Sequence, residues 1–529
     1  MKKTIFDLVQ KTIDQKIDFT VEIADNSQFG HYATNIALRL AGILKTTPID
    51  LARRLAEKIK NEDEKEFFDR VEVAPPGFIN FWISKKVLQT QLQEILAEKK
   101  KYGTNKIGKG ESVQVEFVSA NPTGPLTLAN GRGGFLGDAI SSTLAFSSYK
   151  VEREYYVNDT GGQILTLGKS ILAKRGLIEG NEDFYKGGYI DVWAEKNFTL
   201  VKKNINNPLK LGELAAKDFL SDIKKMLKTK AGIKFDRWTS EKNHIYKKNL
   251  PEKAEAIFKK KNLTYKNGGA VWFKTSDFGD DKDRVLITKD GFPTYFLADA
   301  GHYLETKKRG FKKKINILGP DHYGYKARVQ AVAETVGLKN SEIIITQTIR
   351  IVKGDAKIKM SKRKGEFMTF EELLDAVKPD VARFFLLMYA PETHMDFDLE
   401  LAKEESLKNP VYYVQYGYVR ASNIIAKAKT KISDKTDLNA LKNEPELNLI
   451  LKLIQFPDIV EQIAEDYRVN RLTRYAIELA KAFHNFYEKE RVIVKDEKIL
   501  AARLALVCAV KIVLGNALDL MGISKPDKM

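Results

Sequence analysis

The chain has 529 residues, 43% hydrophobic and 30% charged, enough for a large core and about three domains of roughly 150 residues each. Eighty-eight Lys+Arg against 70 Asp+Glu leave a net charge of +18 and an isoelectric point near 9.3. That excess points to a polyanionic partner, nucleic acid first, or to a generally lysine-rich composition. The single cysteine, Cys508, excludes internal disulfides and cysteine-cluster zinc sites.

From the N-terminus, MKKTIFDLVQKTIDQKID starts basic, but charges interrupt it before an apolar signal segment can form. Residues 1–100 read as a small α+β unit. NIALRLAGIL and IDLARRLAEKIK have helical periodicity, and DRVEVAPPGFINFWIS alternates like paired strands around a turn. The charged segment EKKKYGTNKIGKGES reads as a linker. Over 101–375 strands alternate with helices: SVQVEFVSA, KVEREYYV, DRVLIT, KKINILG and EIIITQTIRIV. That alternation predicts an α/β, Rossmann-like unit with a parallel, doubly wound sheet, interrupted near 165–265 by a lysine-rich helical insertion. Residues 376–405 connect it to 406–529, which read as an all-α bundle. Arg503 and Lys511 interrupt the most apolar stretch, AARLALVCAVKIVLGNALDL, so no membrane span and a cytoplasmic protein are expected.

The strand VQVEFVSA runs into NPTGPLTLANGRGG, Asn121 to Gly134, which holds four glycines and two prolines. A strand feeding a glycine-rich turn that opens a helix can build a phosphate site. Gly124, Gly131, Gly133 and Gly134 let backbone amides approach, and the helix adds its positive end. The turn has neither the lysine of a P-loop nor the spacing of a dinucleotide fingerprint. Thr127 and Asn130 stand three apart at the helix start, where both can aim donors at one anion; the plain alternative is an ordinary Thr/Asn cap. A second segment, KIKMSKRKGEFMTFEEL, is either a set of mobile cations for a triphosphate or a solvated charge run. Glu116 lies in apolar sequence where an unpaired charge is costly, so it calls for a bound cation or a protein arginine such as Arg132. Tyr295 and Asp299, four apart, share one helix face.

Together the two segments resemble the two signatures of class I aminoacyl-tRNA synthetases, the His-Ile-Gly-His and Lys-Met-Ser-Lys loops. The closer likeness is to the arginyl-tRNA synthetases. It is carried by VEFVSANPTGPLTLANGRGGFLGDAI and EREYYVNDTGGQI, by NSQFGHYATNIALRLA, FPTYFLADAGHYL and LGPDHYGYKARVQA, and by THMDFDLELAKEESLKNPVYYVQYGYVR, LAKAFHNFYEKERV and the ending MGISKPDKM. The resemblance covers nearly the whole chain in the family's order. A cysteinyl enzyme is excluded by the lone cysteine, and leucyl, isoleucyl or valyl enzymes by the lack of room for an editing insertion between the loops.

The resemblance implies that arginine and ATP form arginyl-adenylate and pyrophosphate, and that arginine then passes to the 3′ end of tRNA(Arg), with tRNA needed for the first step. It assigns arginine binding to Glu116, Ser119, Asn121, Tyr295, Asp299 and His322, although His322 could equally be a satisfied core histidine. It assigns ATP to Pro122, Gly124, Thr127, Asn130, Gly131, Gly319, Asp321, Val352, Lys359, Met360, Ser361 and Lys362. Of these, Thr127, Asn130, Lys359 and Lys362 are the catalytic groups, with Mg²⁺ on the leaving phosphates and no protein metal ligand. It further implies an N-terminal domain on the tRNA elbow, a stem contact at 376–405, an anticodon-binding bundle at 406–529, and a monomer. Tyr413, Tyr416, Tyr418 and Arg420 are of the types that stack on unpaired bases; a Tyr/Val stripe at helical spacing is alternatively core.

The chain departs from the family at Thr127-Leu128-Ala129-Asn130, where His-x-Gly-His is usual. A hydroxyl and an amide can each donate to phosphate as the imidazoles would, and some tryptophanyl-tRNA synthetases carry a Thr-Ile-Gly-Asn loop. The methyl of Ala129 is expected to crowd the adenine and weaken ATP binding. Lys362 is present and NPTGPLT has no compensating lysine, two features that agree in the family. A silent paralogue that only binds tRNA is the alternative, supported by the altered loop alone.

Overall fold

In the computed structural model, which describes residues 1–24, 27–353, 356–357 and 368–529, α1 (Lys2–Lys11) precedes a four-stranded antiparallel sheet. Its elements are β1 (Val21–Ile23), β2 (Tyr32–Thr34), α2 (Ile36–Leu44), α3 (Pro48–Glu62), β3 (Phe68–Ala74) and β4 (Phe78–Ile83), in strand order β1-β2-β4-β3. The alternating DRVEVA and FINFWI segments pair as their pattern predicts, with Val71 opposite Phe81. Thr47 caps α3 by accepting from the Asp50 amide, and Pro48 fills the first turn, where its missing N–H costs nothing.

After α4 (Lys85–Glu98) the expected linker is instead a packed joint. Tyr102 is buried against Phe456, and the Asn516 amide donates to the Lys99 and Tyr102 carbonyls. One aromatic ring with a burial partner outweighs the surrounding lysines.

The central unit runs β5 (Ser112–Glu116), α5 (Leu128–Phe146), β6 (Lys150–Val157), then α6 (Gly162–Lys174), α7 (Gly188–Lys196), α8 (Phe198–Lys203) and α9 (Pro208–Thr229). It continues with β7 (Arg237–Ser240), α10 (Leu250–Lys260), β8 (Thr264–Asn267), β9 (Ala270–Phe273), β10 (Arg284–Ile287), α11 (Tyr295–Lys308), β11 (Lys313–Leu318), α12 (Lys326–Val336) and β12 (Glu342–Ile345). Five strands form the parallel sheet, in order β12-β11-β5-β6-β7. Three secondary-structure expectations are corrected here. DRVLIT becomes β10 in a separate antiparallel sheet, β10-β9-β8. RWTS, inside the region read as helical, is the edge strand β7, made a strand by its register with β6, Glu154 opposite Arg237. EIIITQTIRIV divides into β12 and β13 (Ile349–Lys353), which joins a third sheet with β14 (Ala356–Lys357) and β15 (Met395–Asp398). Helices α13 (Phe370–Ala376) and α14 (Pro379–Leu387) pack on α5, and α15 (Leu399–Lys403) packs on β13.

The order fixes where a ligand can sit. The chain winds outward from β5 through β6 to β7, then restarts on the other side with β11 and β12. Beside β5, at the carboxyl ends, the connections diverge and leave a crevice.

The C-terminal helices are α16 (Pro410–Ala428), α17 (Glu444–Leu453), α18 (Phe456–Asp466), α19 (Asn470–Lys489) and α20 (Glu497–Met521). By length and composition α20 could cross a membrane, but 78% of its most apolar window is buried, and it packs against α16, α19, α4 and α5. Arg503 does not expose it to water. Its guanidinium is held by Glu446 at 2.8 Å and by Glu490. One apolar core runs from the N-terminal sheet through the parallel sheet into this bundle, with smaller clusters under α10–α12 and within α6–α9.

Candidate active site

Beyond β5 the backbone turns sharply, with Val118 at φ +68° and Ser119 at φ +36°, strain that surrounding structure must hold. Two bonds to β6 hold it: the Tyr156 amide donates to Ser119 Oγ at 3.1 Å, and the Tyr155 hydroxyl donates to the Ala120 carbonyl at 2.8 Å. Ser119 is thus a fastener for the turn. Among the described residues the Asn121 side chain has no hydrogen-bond partner and stands half-buried, while Pro122 is buried. Gly124 is a packing glycine, since a Cβ there would lie 2.6 Å from the Tyr189 ring.

At the start of α5, Thr127 and Asn130 form a capping box. The Thr127 hydroxyl and amide donate to Asn130 Oδ1 at 2.8 and 2.9 Å, and Thr127 Oγ1 accepts from the Asn130 amide at 3.4 Å. The one hydroxyl proton is therefore engaged. This corrects the expectation that both side chains aim donors outward: Asn130 Nδ2 alone remains for an anion, together with the helix N-terminus. The glycines are corrected as well. A Cβ on Gly131 would sit 2.3 Å from the Phe370 ring, and one on Gly134 within 3.2 Å of Val118 and Ile233, whereas Gly133 would tolerate one. They admit neighbouring side chains against the helix, and none has positive φ. The Phe370 amide donates to the Leu126 carbonyl at 2.8 Å and Thr127 bridges Thr369, so the chain following the second segment is fastened to the first. Val352 lies on β13, half-buried and opposite Asp398. Lys359, Met360, Ser361 and Lys362 lie outside the described residues.

Carboxylates converge on the crevice. Glu116 ends β5 and is 6% exposed. Its cation is Lys314 at 2.9 Å, not Arg132, whose buried guanidinium donates instead to the carbonyls of Gln347, Thr393 and Ala390 at 2.8–2.9 Å. Asp299, one turn into α11, accepts from the Tyr325 hydroxyl; burial pushes its carboxyl up to about 6, against that hydrogen bond and with help from Glu116. Tyr295, a turn earlier, is exposed above the Gly161–Gly162 turn.

Sequence reasoning missed Glu241, directly after β7 and 3% exposed. Burial pushes its carboxyl up to about 7, with the Tyr156 phenol pulling the other way and Asp299 and Asp159 adding to the rise. Its signal in the sequence is the strand-forming Trp-Thr pair just before it, in a stretch otherwise read as helix. Asn158 Oδ1 and Gln163 Oε1 are buried without a hydrogen-bond partner, the kind of orphan that a ligand or water satisfies.

The turn Pro320–Tyr325 after β11 carries the nucleotide-side expectations. Gly319 leaves room for Asp321, whose Oδ1 would lie 2.8 Å from a Cβ there. His322 is exposed, 3.7 Å from Asp321 and edge-on to Tyr325, so it is no core histidine.

Behind Glu116 lies a wholly buried polar layer. The Asn316 amide donates to Glu116 Oε2 at 2.6 Å and the Tyr303 hydroxyl to Asn316 Oδ1 at 2.6 Å. His302 stands 3.1 Å from Glu154 and stacks on Tyr156 at 4.2 Å. Glu116, Glu154 and His302 have metal-ligand chemistry and spacing, but the Lys314 ammonium, 2.9 and 3.1 Å from the two carboxylates, supplies the positive charge they need. The residues do not fit a resident metal.

On α16 the buried residues are Val411, Val414, Gln415, Gly417, Val419, Ala421 and Ile424, while the tyrosines are half-buried. Tyr413 and Tyr416 meet His484. Arg420 donates to the Tyr416 hydroxyl at 2.6 Å and lies over the Tyr416 and Tyr487 rings. Tyr418 faces the other way, against Gly515 and Lys511 of α20.

Residues 1–83 match the arginyl tRNA synthetase N terminal domain family, 91–384 the class I (R) tRNA synthetase catalytic domain, and 414–529 the DALR anticodon binding domain. The arginine–tRNA ligase of Syntrophotalea carbinolica is 38% identical over 535 residues, covering 97% of this chain and 95% of its own. That of Thermotoga maritima is 36% identical and covers 100% and 99%. The Thermus thermophilus arginyl-tRNA synthetase structure aligns over 100% of both chains with a TM-score of 0.79 at 21% identity, a likeness of fold. Three matched families in chain order, and relatives alike from end to end, agree with the acidic crevice beside a helix N-terminus: the chain belongs to the arginyl-tRNA synthetases.

Proposed function

We propose that the crevice beside β5 joins arginine to tRNA(Arg) with its two ends dividing the charge. The observation that carries this reading is the convergence of Glu116, Asp299 and Glu241 at the carboxyl end of the sheet, next to the N-terminus of α5. A planar cation suits paired carboxylates, and a triphosphate suits a helix N-terminus. Asp299 and Glu241 receive the guanidinium, with Tyr295 as cover. Glu116 and Asn121 take the polar groups at the other end of the amino acid. Ser119 holds the turn between them, and His322 borders the same space.

ATP, taken up with Mg²⁺ on its phosphates, lies over Pro122, Gly124 and Gly131, with Gly319, Asp321, Val352, Met360 and Ser361 around the nucleoside. The arginine carboxylate attacks the α-phosphorus, that phosphorus–oxygen bond forms, and pyrophosphate leaves; a ribose hydroxyl at the tRNA 3′ end then takes the arginyl group and AMP leaves. No protein nucleophile is required. Asn130 Nδ2, the α5 N-terminus, Lys359 and Lys362 stabilise the developing negative charge, while Thr127 holds Asn130 in place. The bundle at 406–529 binds the anticodon, with Tyr413, Tyr416 and Arg420 as one stacking surface and Tyr418 serving the core. Residues 376–405 meet the stem, residues 1–100 the elbow, and the enzyme works as a monomer.

Aminoacylation of tRNA tests the site. Replacing Glu241 by Gln leaves a buried guanidinium without one of its partners, a loss of roughly 3 kcal/mol, so the KM for arginine should rise about 100-fold with the KM for tRNA unchanged. An unchanged arginine KM would remove Glu241 from the pocket. Failure of the unaltered protein to charge arginine would contradict the reaction itself.

A further inference from the structure

Lys314 is a fully buried lysine in the middle of a parallel sheet, a rare place for an ammonium. It enters the sheet on β11, with β5 and α11 beside it. Its charged and titratable neighbours come from β5, β6 and α11, the Tyr303 ring among them at 5.5 Å from Nζ. Its Nζ lies 2.9 Å from Glu116 Oε2 on β5, 3.1 Å from Glu154 Oε2 on β6, and 3.4 Å from His302 Nε2 on α11; it also donates to Gln114 Oε1 at 2.5 Å. Glu154 is in turn held by the Thr239 hydroxyl and faces Arg237 of β7 at 3.8 Å, which pairs with Glu305 at 2.8 Å. Burial opposes the charge on Lys314, but the two carboxylates outweigh it and push its pKa up. Burial likewise opposes the charge on Glu154, and Lys314 and His302 hold that carboxyl well below the usual carboxylate range. Both stay ionised, and the three donors of the ammonium are all spent on these acceptors.

The arrangement is one-sided at Glu116. Lys314 and Asn316 both bind Oε2, His302 Nδ1 approaches the same oxygen at 3.8 Å, and Oε1 has no hydrogen-bond partner among the described residues. One oxygen is anchored from behind the sheet, and the other is left for whatever enters the crevice.

We infer that Lys314 is a positioning residue for arginine binding, which fixes Glu116 by its Oε2 so that Oε1 is presented to the substrate. The inference rests on the reading that Glu116 binds arginine. Lys314 touches neither substrate nor ATP; it acts through Glu116, with Glu154 balancing its charge.

The test separates positioning from mere support of the fold. Lys314→Met alone leaves two buried carboxylates without their ammonium, a change that strongly favours unfolding. The charge-conserving pair, Lys314→Met with Glu154→Gln, removes one positive and one negative charge and keeps the net charge of the layer. In tRNA-dependent ATP–pyrophosphate exchange, either variant that folds should show an arginine KM raised about tenfold or more, with the ATP KM within about twofold of the unaltered enzyme. A general loss of structure would move both constants together. Glu116→Gln is the reference: it should raise the arginine KM at least as far. If Glu116→Gln is impaired and the charge-conserving pair keeps a normal arginine KM, the inference about Lys314 is overturned. If Glu116→Gln itself leaves the arginine KM unchanged, the reading of Glu116 fails and takes the inference with it.

Discussion

Ala129 is the second residue of α5, where most members of the family carry the glycine of His-x-Gly-His. In the family that glycine lets the adenine approach the backbone, so if the methyl crowds the ring, Ala129→Gly should lower the KM for ATP by about two- to fivefold and leave the arginine KM alone. An unchanged ATP KM would mean the backbone already accommodates the methyl. The paired acids give a second prediction. Asp299 and Glu241, raised by burial to about 6 and about 7, hold protons in the folded enzyme that the unfolded chain would release near pH 4. Their contribution to stability is complete below that pH and is lost as the pH rises through about 6 to about 7. Binding a guanidinium requires the ionised forms, so arginine must displace protons. The arginine KM should therefore fall several-fold between about pH 6 and about pH 8, and calorimetry near pH 6.5 in buffers of different ionisation enthalpy should report proton release. A flat KM profile, or proton uptake, would count against the acidic pocket. Glu116 and Asp299 could be singled out from the sequence by the family resemblance, one standing in an apolar strand and the other a helix turn from Tyr295. Glu241 and Lys314 could not, since each looks like one more charge in a charged stretch, and only pairing across the sheet buries them.

At the level of elements, local pattern served where an element makes its own contacts and failed where a neighbour makes it. KVEREYYV is β6 over the same eight residues, and the antiparallel N-terminal pair follows its alternation. RWTS has no such pattern and is a strand only because β6 lies beside it. DRVLIT has the pattern, but a preceding antiparallel pair claims it before it can reach the parallel sheet. The capping box shows the same limit: Thr127 and Asn130 were visible as a pair, yet their mutual bonds, which take the hydroxyl proton away from any phosphate, depend on helix geometry. On α16 the geometry separates the aromatic stripe by face. Arg420 stacks on Tyr416 and Tyr487 beside His484, the face proposed to meet unpaired bases, whereas Tyr418 packs on α20. Arg420→Ala should raise the KM for tRNA about tenfold, as expected for losing one stacked and charged contact, with little change for ATP. An equal loss with Tyr418→Ala and none with Arg420→Ala would assign the surface to the other face.

For the whole molecule, the order of the three units could be read from the chain because each carries its own motif or periodicity. How they are joined could not. The expected linker is threaded under the bundle by Tyr102 and Asn516, and α20, which composition alone would allow in a membrane, is the bundle's central helix. One core therefore continues from the N-terminal sheet to the anticodon-binding helices. A tRNA gripped by the bundle can bear on the crevice through α20 and α5, which touch directly. The central claim is that a crevice with Thr-Leu-Ala-Asn in place of the usual histidines still activates arginine, and that it does so when tRNA is bound. ATP–pyrophosphate exchange with arginine, measured with and without tRNA(Arg), tests it most directly. Exchange that appears only when tRNA is added is the predicted result; no exchange in either condition, from folded protein that still binds tRNA, would contradict it.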